Sequence, residues 1–195
     1  MKVGTVVVDF DGTACLHDVA EHLLGEFAIG DWEALDRAWL RGERGSRTVV
    51  AEQSAMLDAD RTTLLDHALD HCPIDPTFGP FVSWARGSGI EVVVASDGFG
   101  FYIGPLLAAA GLPSIRVVSN EQLWSRDRPA GLRFPNGHHT CVGCGTCKMQ
   151  AVLDSRARGP VAFVGEGSSD RYGAVYADVT FAKLELVAHC ERDGV

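Results

Sequence analysis

Val3-Gly4-Thr5-Val6-Val7-Val8 runs directly into Asp9-Phe10-Asp11-Gly12-Thr13, and the reading of this stretch decides the fold. The apolar run is continuous and not alternating, which suits a strand covered on both faces in a parallel sheet. Two carboxylates at i and i+2 on a strand-to-loop transition can point into one site. Unlike surroundings then give them different pKa values, so that one can attack phosphorus while the other manages protons. Gly12 permits the tight backbone path, and the Thr13 hydroxyl or amide can touch a phosphate. For two aspartates alone, an acidic turn is the competing reading.

Two further runs have the same character, Ile90–Ala95 and Val161–Val164. Each is followed by small or acidic residues and then by a helical pattern, which puts polar groups at the carboxyl ends of strands. A fourth strand is expected at Ile115–Val118, after a helix Phe99–Ala110 closed by Gly111 and Pro113. The long stretch between the first two strands shows helix signals and no good strand. Asp31 can cap a helix Trp32–Leu40, Thr48–Leu57 is amphipathic, Asp60 precedes Leu64–His71, and Asp75-Pro76 opens a helix through Trp84. The expected fold is therefore α/β, a Rossmann-like parallel sheet core (residues 1–14 and 87–195) with an inserted helical-bundle cap (15–86). Turn residues across Leu123–His139 add a small β-hairpin.

Three more motifs lie at the other strand and helix ends. Ser96-Asp97-Gly98 offers a hydroxyl and free amides to an anion, although Ser and Asp are also ordinary helix caps. Lys148, opening a helix Lys148–Arg156, can hold a phosphoryl oxygen or be a solvated charge. Gly165-Glu166-Gly167-Ser168-Ser169-Asp170 carries acidic groups four apart, suitable hard ligands for Mg²⁺ or a decorative acidic loop.

Taken in order, these motifs resemble the layout of the haloacid dehalogenase superfamily, and the chain is similar to its phosphatases over nearly its whole length. More narrowly it looks like the branch holding phosphoserine phosphatase and the methylthiopentenyl-phosphate phosphatases. Ser96-Asp97-Gly98-Phe99, the Cys-rich segment before Lys148, Ser169-Asp170-Arg171-Tyr172 and Phe181-Ala182-Lys183 carry that resemblance. The resemblance implies Asp9 as nucleophile and Asp11 as general acid and base, with its backbone carbonyl facing Mg²⁺. It implies Ser96 and Lys148 as phosphate holders, with Thr13, Asp97 and Gly98 beside them, and Asp9, Asp11, Glu166 and Asp170 as the metal set. Arg47 and Asp18 would reach the substrate; surface placement and helix capping are their respective alternatives. One departure matters: the family usually has Asp where this chain has Glu166, and the added methylene bears on a Mg²⁺ site that demands near-octahedral geometry.

Cys141-x-x-Cys144-x-x-Cys147, with His139 upstream, is sufficient for a tetrahedral structural Zn²⁺ site; reduced thiols in a loop or one disulfide are the alternatives. His17, His22, His67 and His71 read as ordinary helix-surface or core residues, and Trp32, Trp39 and Trp84 as core. Net charge is −9, against a nucleic-acid partner. No stretch approaches the roughly 18 apolar residues of a membrane span, so a cytoplasmic protein acting on a small-molecule phosphate ester is the expectation, with the homodimer, a common outcome for soluble enzymes, as its expected assembly. Phosphotransfer or dehalogenation on the same fold, and a degenerate non-catalytic phosphate- or metal-binding protein, are the rivals. Asp11 argues against the dehalogenase, because it serves an alcohol leaving group.

Overall fold

A computed structural model describes residues 2–195. The chain runs β1 (Thr5–Val8), α1 (Val19–Phe27), α2 (Trp32–Leu40), α3 (Ser46–Met56), α4 (Arg61–His71), α5 (Phe78–Gly87), β2 (Glu91–Phe99) and α6 (Gly100–Ala109). It continues through β3 (Arg116–Ser125), β4 (Arg128–Arg133), α7 (Lys148–Ser155), β5 (Val161–Gly165), α8 (Arg171–Tyr176), β6 (Val179–Ala182) and α9 (Glu185–Asp193). The sheet order is β4-β3-β2-β1-β5-β6, parallel except for the β3–β4 hairpin.

The continuous valine runs are explained by burial on both faces. Val7, Val93, Val161 and Phe163 face α7, α8 and α9, where Ala151, Val152, Ala174 and Leu186 pack. Val6, Val8, Val92 and Val94 face the other layer, with Val19, Leu23, Leu64, Val82 and Ile103. Both sides of the pleat are apolar, so no alternation appears in the sequence.

All five helices α1–α5 lie between β1 and β2, as expected. Asp18, Asp31 and Asp60 each cap a helix by accepting the amide three residues on, at 2.9, 2.9 and 2.8 Å; each such cap contributes about 1 kcal/mol. The chain leaves and returns at one point, where Cys15 pairs antiparallel with Ile74. From there α5 packs Phe78, Val82 and Ala85 into the core beside β2.

Three local expectations change. The strand at Ile115–Val118 continues as β3 to Ser125, and the hairpin turns at Arg126 and Asp127, both at positive φ (49° and 62°). Neither residue is glycine, so the turn carries no strong sequence signal; the segment after Arg133 is irregular. Helix α5 starts at Phe78, not at Pro76. Trp84 is 60% exposed and Trp39 lines a cleft, so neither is a core tryptophan. Strand β6 was not legible because four residues give too short a period. Among the described residues, no helix is long and apolar enough to cross a membrane.

Candidate active site

The carboxyl edge of the sheet gathers groups from distant parts of the chain. Asp9 follows β1, Ser96 lies near the end of β2, Glu166 and Asp170 follow β5, and Lys148 opens α7. From β1 the connections go first toward β2 and β3 and then cross to β5 on the other side, so this edge is the topological switch point where open α/β sheets place ligands. A cleft of about 420 Å³ opens there, roofed by α1, α2 and α3.

Lys148 is the hub. The residue is 4% exposed, and its ammonium donates to Asp9 Oδ1 at 2.6 Å, Asp170 Oδ1 at 2.6 Å and Ser169 Oγ at 3.1 Å. Three N–H groups meet three acceptors, so the buried charge is fully satisfied. Burial works against that charge, but Asp170 and Asp9 outweigh it and hold the lysine well above its ordinary pKa. Asp170 is fully buried, and its Oδ2 accepts the amides of Glu166 and Gly167 at 2.9 and 3.0 Å. Both its oxygens are thus engaged in fixing Lys148 and the loop after β5.

Asp11 is oriented by two donors. Its Oδ1 accepts the Val19 amide at 3.1 Å, and its Oδ2 accepts the Ser96 hydroxyl at 2.8 Å. Ser96 Oγ in turn accepts the Gly98 amide at 2.8 Å. Burial, then the charge of Asp18, pushes the Asp11 carboxyl up to about 7, which suits a group that gives and takes a proton near neutrality. Gly98 is required here for close approach: a methyl group would collide with Tyr102 Oη, Asp11 Oδ2 and Ser96 Oγ.

Gly12, at φ 66°, turns the chain immediately after Asp11, and a methyl there would strike the Glu166 carboxylate. Glu166 Oε2 pairs with Lys183 Nζ at 3.2 Å, and Lys183 also donates to Gly12 O at 2.5 Å. The longer side chain therefore reaches across the loop to a lysine that arrives just after β6.

The donor set fits a hard divalent cation. Asp9, Asp11, Glu166 and Asp170 line the cleft with one ammonium, Lys148, among them. Burial, and then the charge of Asp170, push Asp9 well above the carboxylate range against the opposing pull of Lys148. Asp9 Oδ2 has a single contact, the Thr13 hydroxyl at 3.5 Å. Oxygen-only donors with excess negative charge suit Mg²⁺. Lys148 stands between Asp9 and Asp170, so the fit rests on charge and donor type.

Other expected residues have different places. Asp97 Oδ2 accepts the Ser46 hydroxyl at 2.9 Å and its Oδ1 accepts the Thr146 amide at 2.5 Å, which makes it a latch between α3, β2 and the loop before α7. Asp18 both caps α1 and lines the cleft. Arg47 is not brought to the cleft: its guanidinium lies over the Phe134 ring at 4.5 Å and its amide donates to Gly143 O. On α3 it is Ser46 that faces inward, and one residue turns the helix by about 100°. The zinc ligands do not gather either. Among the described residues, Cys141, Cys144, Cys147 and His139 form no metal-sized group. Cys147 is buried as the cap of α7, its Sγ accepting the Gln150 amide, while Cys141 is exposed. Burial raises the Cys144 thiol to about 11.

Sequence reasoning missed Ser46, Ser169, Lys183 and the acidic pair Glu21 and Asp36. Ser169 and Lys183 stood inside stretches already singled out; Glu21 and Asp36 look like ordinary helix-surface acids until α1 and α2 are folded over the cleft. The far wall is mostly apolar, with Leu23, Leu24, Trp39, Val49, Val50 and Leu57, and the polar Gln53 and Ser54 lie among them. Lys148 is the only basic side chain lining the cleft among the described residues.

Comparison with known proteins gives a consistent result. A family model described as haloacid dehalogenase-like hydrolase matches residues 6–174. A 2-hydroxy-3-keto-5-methylthiopentenyl-1-phosphate phosphatase of Brevibacillus brevis is 30% identical over 94% of this chain and 84% of its own. The Pdp3-interacting factor 1 of Schizosaccharomyces pombe is 27% identical over 97% of this chain and 87% of its own. Among solved structures, a phospho-aspartyl intermediate analogue of phosphoserine phosphatase superposes with a TM-score of 0.75 at 16% identity, covering 97% of this chain and 91% of that one. At that identity the likeness is one of fold.

Proposed function

The chain belongs to the haloacid dehalogenase-like hydrolase family, and from that premise we propose a Mg²⁺-dependent phosphatase that hydrolyses a small phosphate monoester through an aspartyl phosphate on Asp9. The observation that carries this reading is the contact of Asp9 Oδ1 with Lys148 Nζ at 2.6 Å, which itself holds Asp170 at 2.6 Å.

The steps follow from the side chains. A carboxylate oxygen of Asp9 attacks phosphorus, and the bond from phosphorus to the ester oxygen breaks. Asp11, held by Val19 N and Ser96 Oγ, gives its proton to the departing alcohol. Asp11 then takes a proton from water, which attacks the same phosphorus and breaks its bond to Asp9, releasing inorganic phosphate. Lys148 keeps a fixed positive charge beside the attacking oxygen throughout. Asp9, Glu166 and the Asp11 backbone carbonyl would hold Mg²⁺, which supplies neutralisation of the phosphoryl oxygens.

The cleft wall bears on the substrate. A carboxylate-bearing ester such as phosphoserine calls for a cation opposite its carboxylate, and Arg47 lies outside the cleft over Phe134. Glu21 and Asp36 would repel such a group, while the leucine and valine wall accepts an apolar chain. We therefore favour a phosphate ester whose alcohol part is uncharged and partly apolar, the class to which the thioether phosphate named for the Brevibacillus brevis relative belongs. In place of the cap expected over residues 15–86, we propose one at about 15–74, between the paired Cys15 and Ile74, with α5 assigned to the core.

Purified protein assayed with Mg²⁺ against matched esters tests this. The expected result is hydrolysis of an alkylthio-alkyl phosphate with kcat/KM at least about tenfold above phosphoserine, the scale of one mispaired polar group. A preference for phosphoserine contradicts the substrate class. Absence of turnover with every ester and several divalent metals contradicts catalysis and favours the binding-protein reading, for which the Glu166–Lys183 pair is the supporting observation.

A further inference from the structure

A second group of ligating side chains lies on the cap, and the phosphatase reading makes no use of it. His67 and His71 stand one turn apart on α4, and His22 meets them from α1. One donor atom from each of the three lies within 4.8 Å of the other two, the one such group of three among the described residues. The rings of His67 and His71 are stacked with centroids 4.2 Å apart, and the His22 centroid is 5.0 Å from His67 and 5.7 Å from His71. Asp18, Glu21 and Glu26 line the groove beside them, with no lysine or arginine.

Two details separate this group from surface histidines that happen to meet. His71 Nδ1 lies 3.0 Å from the His67 carbonyl oxygen. A carbonyl only accepts, so Nδ1 carries the hydrogen and the neutral ring keeps its lone pair on Nε2, the arrangement that orients metal-bound imidazoles. His67 Nε2 is buried without a hydrogen-bond partner, so it bears a desolvation cost that nothing in the chain offsets. The His67 ring is fixed edge-on against Phe27 at 5.0 Å.

We propose that His22, His67 and His71 form a binding site for a divalent transition metal ion of the zinc class at the seam of α1 and α4, distinct from the catalytic centre. Zinc–nitrogen bonds of roughly 2.0–2.1 Å put tetrahedral ligands about 3.3 Å apart. Rotation of the exposed His22 and His71 rings closes the remaining distance. Water or Glu26 is available for the fourth position. Because α1 also carries Asp18 and Glu21, an ion at this seam clamps one wall of the cleft to α4.

Tag-free protein titrated with Co²⁺ in saturating Mg²⁺ tests the site, read by visible absorption. The expected result is one equivalent bound with ligand-field bands of nitrogen and oxygen coordination, no thiolate charge-transfer band, and displacement by Zn²⁺. The spectrum should persist in Asp9→Asn and in the triple variant Cys141→Ser, Cys144→Ser, Cys147→Ser. It should vanish in the double variant His22→Asn, His71→Asn, whose exposed positions leave circular dichroism unchanged. An unchanged spectrum in the histidine variant, loss of it in the cysteine variant, or no binding by the unmodified protein would each overturn the proposal.

Discussion

Lys148 Nζ stands 2.6 Å from Asp9 Oδ1 although 139 positions separate the two residues. Both are nearly fully buried, and Asp170 shares the same ammonium. A buried charge hub of this kind is weak evidence for stability, but removing one partner leaves the others uncompensated. Lys148→Met should therefore lower unfolding stability by about 3–5 kcal/mol and abolish turnover. Denaturant unfolding with and without Mg²⁺ checks this; a variant as stable as the parent contradicts the hub.

Gly98 lies where the Tyr102, Asp11 and Ser96 side chains meet, so Gly98→Ala forces at least one of them to move. Misplacing Asp11 by even 1 Å should cost roughly 100-fold in kcat, with a stability loss of about 1–3 kcal/mol from overpacking. KM should change far less than kcat. Near-normal kcat in this variant would separate Asp11 from the chemistry.

Glu166 touches Gly12 and Lys183 together, which makes a double-mutant cycle informative. Gly12→Ala alone meets both the positive φ and the Glu166 carboxylate. Glu166→Asp withdraws one methylene and should partly relieve the second penalty, with a coupling energy of about 0.5–3 kcal/mol. Glu166→Asp by itself should preserve or raise activity and lower the Mg²⁺ concentration for half-maximal rate. A clear loss of rate there would count against Glu166 as a metal ligand.

Arg47 offers a contrast. Its guanidinium over Phe134 contributes about 0.5–1 kcal/mol at a partly exposed site. Arg47→Ala should lower stability by that amount and leave kcat/KM for an uncharged ester within about twofold, whereas Asp36→Arg should improve phosphoserine hydrolysis by lining the cleft with a cation. A large drop in kcat/KM for Arg47→Ala would show that this residue does reach the substrate.

The parts legible in the sequence were those with a local period or a local motif. The valine runs of β1, β2 and β5 and the capping aspartates Asp31 and Asp60 could each be named from neighbours in the chain, whereas Asp9, Asp11, Ser96, Lys148 and Asp170 were named together from the order of their motifs and the family resemblance it carries. What was not legible depends on helix rotation and long-range pairing. Nothing near Arg47 says that Ser46 turns inward while Arg47 covers Phe134. Nothing near Lys183 says that it meets Glu166 and Gly12, since β6 must first place it beside β5. The Cys141–Cys147 spacing suited a metal, yet Cys147 serves as a helix cap. His22, His67 and His71 looked ordinary because α1 and α4 had not yet been brought together.

The most direct measurement is chemical trapping on Asp9. The protein is quenched in acid during turnover of a phosphate ester with Mg²⁺, digested, and its peptides are examined by mass spectrometry. One phosphoryl group on the peptide carrying Asp9, removed by hydroxylamine and absent in Asp9→Asn, is the predicted result. Undiminished turnover by Asp9→Asn, or a phosphoryl group found on another residue, would contradict the account.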